Sequence, residues 1–177
     1  MKNTMLAKIA IVMVMMVLLT GCGKAEETVA EAPATEQQAE SASAEADDTA
    51  AMTVADIYQK IAESVELYSP FCWDDEFISN YYDIDVTALE EYVFSMSEDA
   101  TSAETIIIMK AKSAETVEEL KSCLQVVVDE KKNEMENYLP EQFAIVEKST
   151  VQVKGQYVWL VISENAGTIT EIIEAGI

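Results

Sequence analysis

Cys22 is the residue whose chemistry the sequence specifies most closely. It ends the run Leu19-Thr20-Gly21-Cys22, which follows two lysines, Lys2 and Lys8, and an uninterrupted apolar stretch over residues 9–19. A basic start, a short apolar segment and a small residue before the cysteine are typical of a bacterial lipoprotein signal peptide. We therefore expect the Cys22 thiol to carry a diacylglyceryl group, and cleavage before it to remove residues 1–21.

Two other interpretations of the first residues remain open. One is an ordinary secretory signal in which Cys22 occurs by chance, and the other is an uncleaved membrane helix. A spanning helix needs roughly 20 apolar residues, about twice the length of this stretch. Two acyl chains give stable anchoring where one chain is marginal. The sequence therefore predicts a protein held at the cell membrane by its lipid and facing outside.

The composition excludes several kinds of chemistry. The net charge is −22, all 11 basic residues are lysine, and the chain has no histidine. Without histidine there is no Ser-His-Asp triad and no imidazole metal site, and without arginine there is no bidentate clamp for carboxylate or phosphate. A surface this acidic also repels nucleic acid. We expect no cofactor and no nucleic-acid partner.

The chain divides by composition into three parts. After the signal peptide at 1–21, residues 22–51 comprise the cysteine and a run rich in Ala, Glu, Thr and Ser, with one proline and no aromatic residue. Such a run buries too little apolar surface to order itself, so we expect a disordered acidic tether. Residues 52–177 are long enough to form one globular domain with its own core.

Hydrophobic periodicity predicts four helices and four strands within that domain. The expected helices cover residues 53–67, 74–82, 113–137 and 169–175. The expected strands form two hairpins, over 92–97 with 104–112 and over 150–153 with 157–163, the second turning at Lys154-Gly155. Pro70 is expected to stop regular structure after the first helix, and Pro140 is expected to end the long helix. This order predicts an α+β two-layer sandwich, with an antiparallel sheet of about four strands and helices on one face.

Three short motifs resemble a known family. They are Ser102-Ala103-Glu104 before a strand, Tyr138-Leu139-Pro140-Glu141-Gln142 after the long helix, and Val153-Lys154-Gly155-Gln156-Tyr157-Val158 entering the last strand. Over roughly residues 52–165 the chain resembles an uncharacterised domain-of-unknown-function family of small lipoproteins from Gram-positive, Clostridia-type bacteria. The resemblance implies an exported, lipid-anchored α+β domain and no particular activity.

Aromatic residues are concentrated between Tyr68 and Tyr82, where acidic residues separate them. Tyrosine and tryptophan combine a large contact area with a polar group and are enriched where proteins bind partners. The alternative is that these rings close the core where two short helices meet the sheet. The candidate partner surface consists of Trp73, Phe77, Tyr81 and Tyr82.

The acidic residues of the same region suggest two weaker cation sites. A loose site is possible at Asp74, Asp75 and Glu76. Asp83 and Asp85 are spaced like the start of a calcium loop, but position six is Ala88 and position twelve is Phe94, where such a loop needs glycine and glutamate. Asp85 is therefore expected to cap a helix or turn.

Cys72 and Cys123 are the two thiols other than Cys22. Outside the cytoplasm they are able to form a disulfide. Two separate buried thiols are the favoured alternative, because two cysteines provide no framework pattern and free cysteine behaves as a small apolar residue.

Three functional hypotheses follow from these observations. The leading one is a non-catalytic, lipid-tethered domain that binds an envelope protein or glycan. The second is a carboxylate-dependent enzyme acting on cell wall glycan, which requires a cleft with two acids about 5–10 Å apart. The third is a divalent-cation binder.

Overall fold

The computed structural model describes residues 51–177. The predicted signal peptide, the predicted lipidation site Cys22 and nearly all of the predicted tether lie outside the described residues. Within 51–177, no helix combines the length and the apolar character needed to cross a membrane.

The described chain contains five helices and five strands. The helices are α1 (Val54–Ser64), α2 (Asp75–Tyr82), α3 (Ala114–Met135), α4 (Pro140–Lys148) and α5 (Ala166–Gly176). The strands are β1 (Pro70–Cys72), β2 (Leu89–Ser97), β3 (Thr105–Ala111), β4 (Gln152–Lys154) and β5 (Tyr157–Ile162), and a short 3₁₀ turn precedes β2.

The five strands form one antiparallel sheet in the order β1-β2-β3-β5-β4. β3 lies at the centre and pairs with β2 on one side and β5 on the other. The two short strands β1 and β4 form the edges. The predicted α+β fold with an antiparallel sheet and two hairpins is confirmed, with one more strand than expected.

Helices cover both faces of the sheet, which corrects the prediction that they lie on one face. One core joins α2, α3 and α4 to side chains such as Phe94, Ile107 and Leu160. A second core joins α1 and α5 to Ile106 and Trp159. Because successive strand residues point to opposite faces, an unbroken apolar run such as Ile106–Met109 provides apolar surface to both.

Pro70 does not stop regular structure as predicted, whereas the long helix α3 does end before Pro140, and each proline begins a further element. Pro70 begins the edge strand β1, where a residue without an N–H is tolerated. Pro140 is the first residue of α4, a position whose N–H has no partner within the helix in any case. Both β1 and α4 were therefore missed from the sequence.

Side-chain caps fix where four of the elements begin. Thr53, Asp74 and Ser113 accept hydrogen bonds from backbone N–H groups in the first turns of α1, α2 and α3. Asp85 caps the 3₁₀ turn through the N–H of Thr87, so its predicted role as a cap is confirmed. The hydrogen bonds from the Thr87 hydroxyl and N–H lower the pKa of the Asp85 carboxyl.

Cys72 and Cys123 are separate free thiols. Cys123 is half-buried on α3, and this burial raises the pKa of its thiol. Cys72 is exposed on the edge strand β1, so the expectation that both thiols are buried is wrong for this residue. An edge strand has no neighbour on one side to cover its side chains.

Two glycines of α5 offer a matched test of its packing. A Cβ on Gly176 would lie 2.7 Å from Cγ1 of Ile57 on α1, whereas a Cβ on Gly167 would meet nothing within 4 Å. Gly176→Ala should lower the free energy of unfolding by about 2 kcal/mol through overpacking. Gly167→Ala should raise it by up to about 1 kcal/mol through helix propensity. Urea unfolding of both variants checks this, and equal effects of the two would contradict the close packing of α5 on α1.

Candidate functional site

Four aromatic rings form a continuous stack beside the β1 edge of the sheet. The Trp73 ring stacks on Phe77 with centroids 3.8 Å apart, and Phe77 stacks on Tyr81 at 4.6 Å. Phe71 contacts Trp73 edge-on at 4.8 Å. We call these four residues the aromatic stack. Offset and edge-to-face pairs at such distances are favourable beyond the area that they bury.

Local structure places these rings in line. Phe77 and Tyr81 are four residues apart on α2, so they share one face of the helix. The cap at Asp74 starts α2 directly after Trp73, which brings the indole over the first turn. Phe71 belongs to β1, whose pairing with Met96 of β2 holds it at the sheet edge.

The aromatic stack is exposed at both ends. Tyr81 is 71% exposed and Phe71 is 40% exposed, while the two rings between them are half-buried. Tyr82, the fourth residue of the predicted surface, turns inward and packs against Phe94 of the core with centroids 5.3 Å apart. Tyr82 therefore helps to close the core, as the alternative interpretation of these rings predicts, whereas Tyr81 is exposed.

The surroundings of the stack are strongly acidic. No basic residue occurs between Lys60 and Lys110 in the sequence. Asp75 accepts a hydrogen bond from the Tyr92 hydroxyl, and burial, together with this carboxylate, raises the pKa of Tyr92 to about 12. Among residues 51–177, none of the acidic residues beside the stack, Asp74, Asp75 and Glu76, forms a salt bridge, so the stack combines apolar ring surface with unpaired negative charge.

Asp74, Asp75 and Glu76, the weak cation site of the sequence, lie at the start of α2. Asp74 and Asp75 are engaged in the cap and in the bond to Tyr92. Within residues 51–177, no group of three or more acidic or cysteine side chains is arranged to hold a metal ion.

An acid-lined cavity of about 350 Å³ lies at one end of the sheet, and sequence reasoning did not predict it. Its carboxylates belong to Glu66, Glu104 and Glu164, which come from three different loops. Both oxygens of Glu104 are occupied, because they accept hydrogen bonds from the Tyr68 N–H (2.7 Å) and the Ser163 hydroxyl (3.2 Å). Glu104 therefore joins the three loops that form the wall of this cavity.

Two of the motifs singled out in the sequence meet at the same cavity. The side-chain oxygen of Gln142, on α4, accepts a hydrogen bond of 2.9 Å from the N–H of Ala103. Gln142 and Ser102 both line the cavity. The motifs were a signal for this region, but only the structure shows that they are in contact.

The fold and these two features define a class of protein: a small α+β domain with helices on both faces of an antiparallel sheet, an exposed acidic aromatic surface and an acid-lined cavity. Residues 63–163 match the family described as Domain of unknown function (DUF4358), and the chain belongs to this family. The predicted resemblance to an uncharacterised family is thereby confirmed. No curated protein and no solved structure matches the chain.

The family match runs from the end of α1 to the residue after β5. It includes the whole aromatic stack and all but two lining residues of the acid-lined cavity, Glu164 and Asn165. Both features therefore belong to the family domain itself.

Proposed function

We propose that this chain is a lipid-anchored, extracytoplasmic binding domain whose aromatic stack binds a basic segment of another envelope protein. The exposed aromatic stack within an acidic surface is the observation that carries this proposal. A lysine or arginine side chain gains from the face of an aromatic ring and from nearby carboxylates at once.

The anchoring part of the proposal rests on the signal sequence and Cys22. A thioether-linked lipid would hold the domain at the outer face of the membrane, where the predicted tether gives it reach. The strong negative charge keeps the domain away from anionic lipid headgroups, so attachment depends on the lipid.

A carboxylate-dependent enzyme draws less support from the acid-lined cavity. Glu104, its best-positioned carboxylate, holds loops together through both of its oxygens. The remaining acids, Glu66 and Glu164, are exposed. Release of reducing ends from cell wall glycan by the full chain would reverse this preference.

The proposal predicts the fate of two variants in cells. Cys22→Ser should move the protein from the membrane fraction to the soluble fraction, because the thioether no longer forms. In the acylated chain, a photo-crosslinking residue at Tyr81 should capture a protein through a segment rich in lysine or arginine, and an added lysine-rich peptide should compete. The same residue at Tyr138, which is 84% exposed and outside the stack, is the control.

Each of these two experiments has an outcome that would contradict the proposal. Membrane retention of the Cys22→Ser variant contradicts the lipid anchor. Cross-linking to glycan, or equal capture from Tyr81 and Tyr138, contradicts a basic protein as the partner.

A further inference from the structure

The edge of the sheet at β1 is free on the side away from β2. Among residues 51–177 the sheet ends at this strand, and its three residues, Pro70, Phe71 and Cys72, are all exposed. The unpaired backbone groups of an edge strand are a template on which another strand can pair. The side of β1 that faces away from β2 is therefore available to a strand from a partner.

The hydrogen bonds between β1 and its neighbour show which backbone groups face outward. The Trp73 N–H donates to the Phe94 carbonyl at 2.9 Å, and the carbonyl of Ser69, four residues earlier, accepts a backbone bond at 3.0 Å. Along an antiparallel strand, residues bonded to one neighbour alternate with residues that face the other side. Cys72 and Pro70 therefore direct their backbone groups away from the sheet. Since proline has no N–H, the free edge offers one donor, on Cys72, and two carbonyl acceptors.

The side chains of β1 alternate between the two faces of the sheet. Phe71 lies opposite Met96, on the face of the core that contains α2. Cys72 lies opposite Ser95, whose Oγ is 2.7 Å from the Tyr58 hydroxyl of α1 on the other face. Directly opposed side chains of neighbouring strands are in contact. A strand added to β1 therefore places a side chain beside the exposed ring of Phe71, where the aromatic stack begins.

Acidic residues lie at both ends of β1. Asp74 and Asp75 follow it in the sequence, and Asp99 accepts a hydrogen bond of 3.0 Å from the hydroxyl of Tyr68, which precedes it. None of these three carboxylates forms a salt bridge among the described residues. They repel an acidic strand, including one from a second copy of this chain, whose net charge is −22. The charge of this edge therefore favours a basic strand over self-association.

We propose that the basic segment adds to β1 as a further antiparallel strand, with its lysine or arginine side chains alternating along the face of the aromatic stack. This inference rests on the proposed function, to which it adds the conformation and the sequence pattern of the partner. The segment donates backbone N–H groups to the Cys72 and Pro70 carbonyls and accepts from the Cys72 N–H. Its basic side chain opposite Phe71 lies against that ring. Main-chain bonds supply affinity and the alternating side chains supply specificity.

Two substitutions at Cys72 test the backbone contact. Cys72→Pro removes the outward N–H and leaves the bonds between β1 and β2, because proline is tolerated on an edge strand where the N–H faces solvent. Cys72→Ala keeps the N–H and removes only the thiol. The full chain is titrated by calorimetry with a short peptide that alternates lysine and leucine. Cys72→Pro should weaken binding about tenfold through the lost hydrogen bond, and Cys72→Ala should leave the affinity unchanged. Thermal melts of both variants establish that the fold is intact.

Backbone-methylated peptides test the same contact without changing the protein. In the antiparallel arrangement with lysine opposite Phe71, the leucine N–H groups face β1 and the lysine N–H groups face away. N-methylation of the leucines should therefore weaken binding at least about tenfold, because more than one hydrogen bond is lost. N-methylation of the lysines should have little effect. Any other pattern overturns the added strand.

Failure of this inference differs from failure of the proposed function. If Phe77→Ala weakens binding of the peptide while Cys72→Pro and Cys72→Ala behave alike, the added strand is wrong and the aromatic stack remains the binding surface. If the peptide does not bind, or binds the Phe77→Ala variant as tightly as the unaltered chain, both proposals are overturned.

Discussion

Phe77→Ala should weaken the binding of a basic partner about thirtyfold. Phe77 lies at the centre of the aromatic stack and contacts Trp73, Tyr81 and Tyr82. Truncation of a central aromatic residue of an interface to alanine typically reduces the binding free energy by about 2 kcal/mol or more, which corresponds to roughly thirtyfold in affinity. Titration of the full chain with a short peptide rich in lysine and leucine, followed by calorimetry, measures the loss.

Tyr138→Ala is the matched control for this prediction. Tyr138 is more exposed than any ring of the stack and lies between α3 and α4, outside the acidic aromatic surface. Its truncation should leave the affinity unchanged. A similar loss in both variants, or no loss in either, would show that the stack does not form the binding surface. Thermal melts of both variants establish that the fold is intact.

The dependence of the binding affinity on salt concentration distinguishes a basic protein segment from a glycan as the partner. Exposed charge pairs weaken as ionic strength rises, since the Debye length falls to about 8 Å at 0.15 M. Stacking of a neutral sugar on Trp73 and Phe77 has little such dependence. If the natural partner bound the aromatic stack equally well at low and high salt, the acidic surroundings would be irrelevant to recognition.

The sequence predicted the elements whose local signals agree with their packing. The hairpin of β2 and β3 and the long helix α3 lie within a few residues of their predicted bounds. In α3 the cap at Ser113 and a single apolar stripe specify the same element. In the hairpin, a polar loop separates two strands that contain aromatic or β-branched residues.

The parts that were missed depend on contacts between distant residues. β1 has three exposed residues and exists because it pairs with β2, so no local periodicity reveals it. The second core on the α1 face was missed because a wholly apolar strand is compatible with one covered face or two. Only α1 and α5, which come from opposite ends of the domain, determine that both faces are covered.

The two candidate sites likewise differ in how far the sequence predicts them. The aromatic stack was accessible from sequence because its residues lie within one short segment, Phe71 to Tyr81. The acid-lined cavity was not, because Glu66, Glu104 and Glu164 become neighbours only when three loops meet.

Phe94→Ala should lower the free energy of unfolding by about 4 kcal/mol. Phe94 is fully buried in β2 and faces the core that contains α2, α3 and α4. Truncation of a buried phenylalanine removes apolar contacts and leaves a cavity, which together cost about 3–5 kcal/mol. Since small domains are stable by only about 5–15 kcal/mol, this single change should bring the domain close to unfolding. Urea denaturation monitored by circular dichroism measures it.

Val126→Ala provides the control, because Val126 is an exposed residue of α3 and its truncation should change stability by less than about 0.5 kcal/mol. A loss below about 1 kcal/mol for Phe94→Ala would mean that the core on this face is loosely packed.

The Phe94→Ala change should also weaken binding of the basic peptide. The Tyr82 ring packs on the Phe94 ring, and the Phe77 ring contacts the Tyr82 ring with centroids 6.0 Å apart. Removing the Phe94 ring should therefore loosen the aromatic stack from beneath, and the affinity for the basic peptide should fall even at temperatures where the variant remains folded.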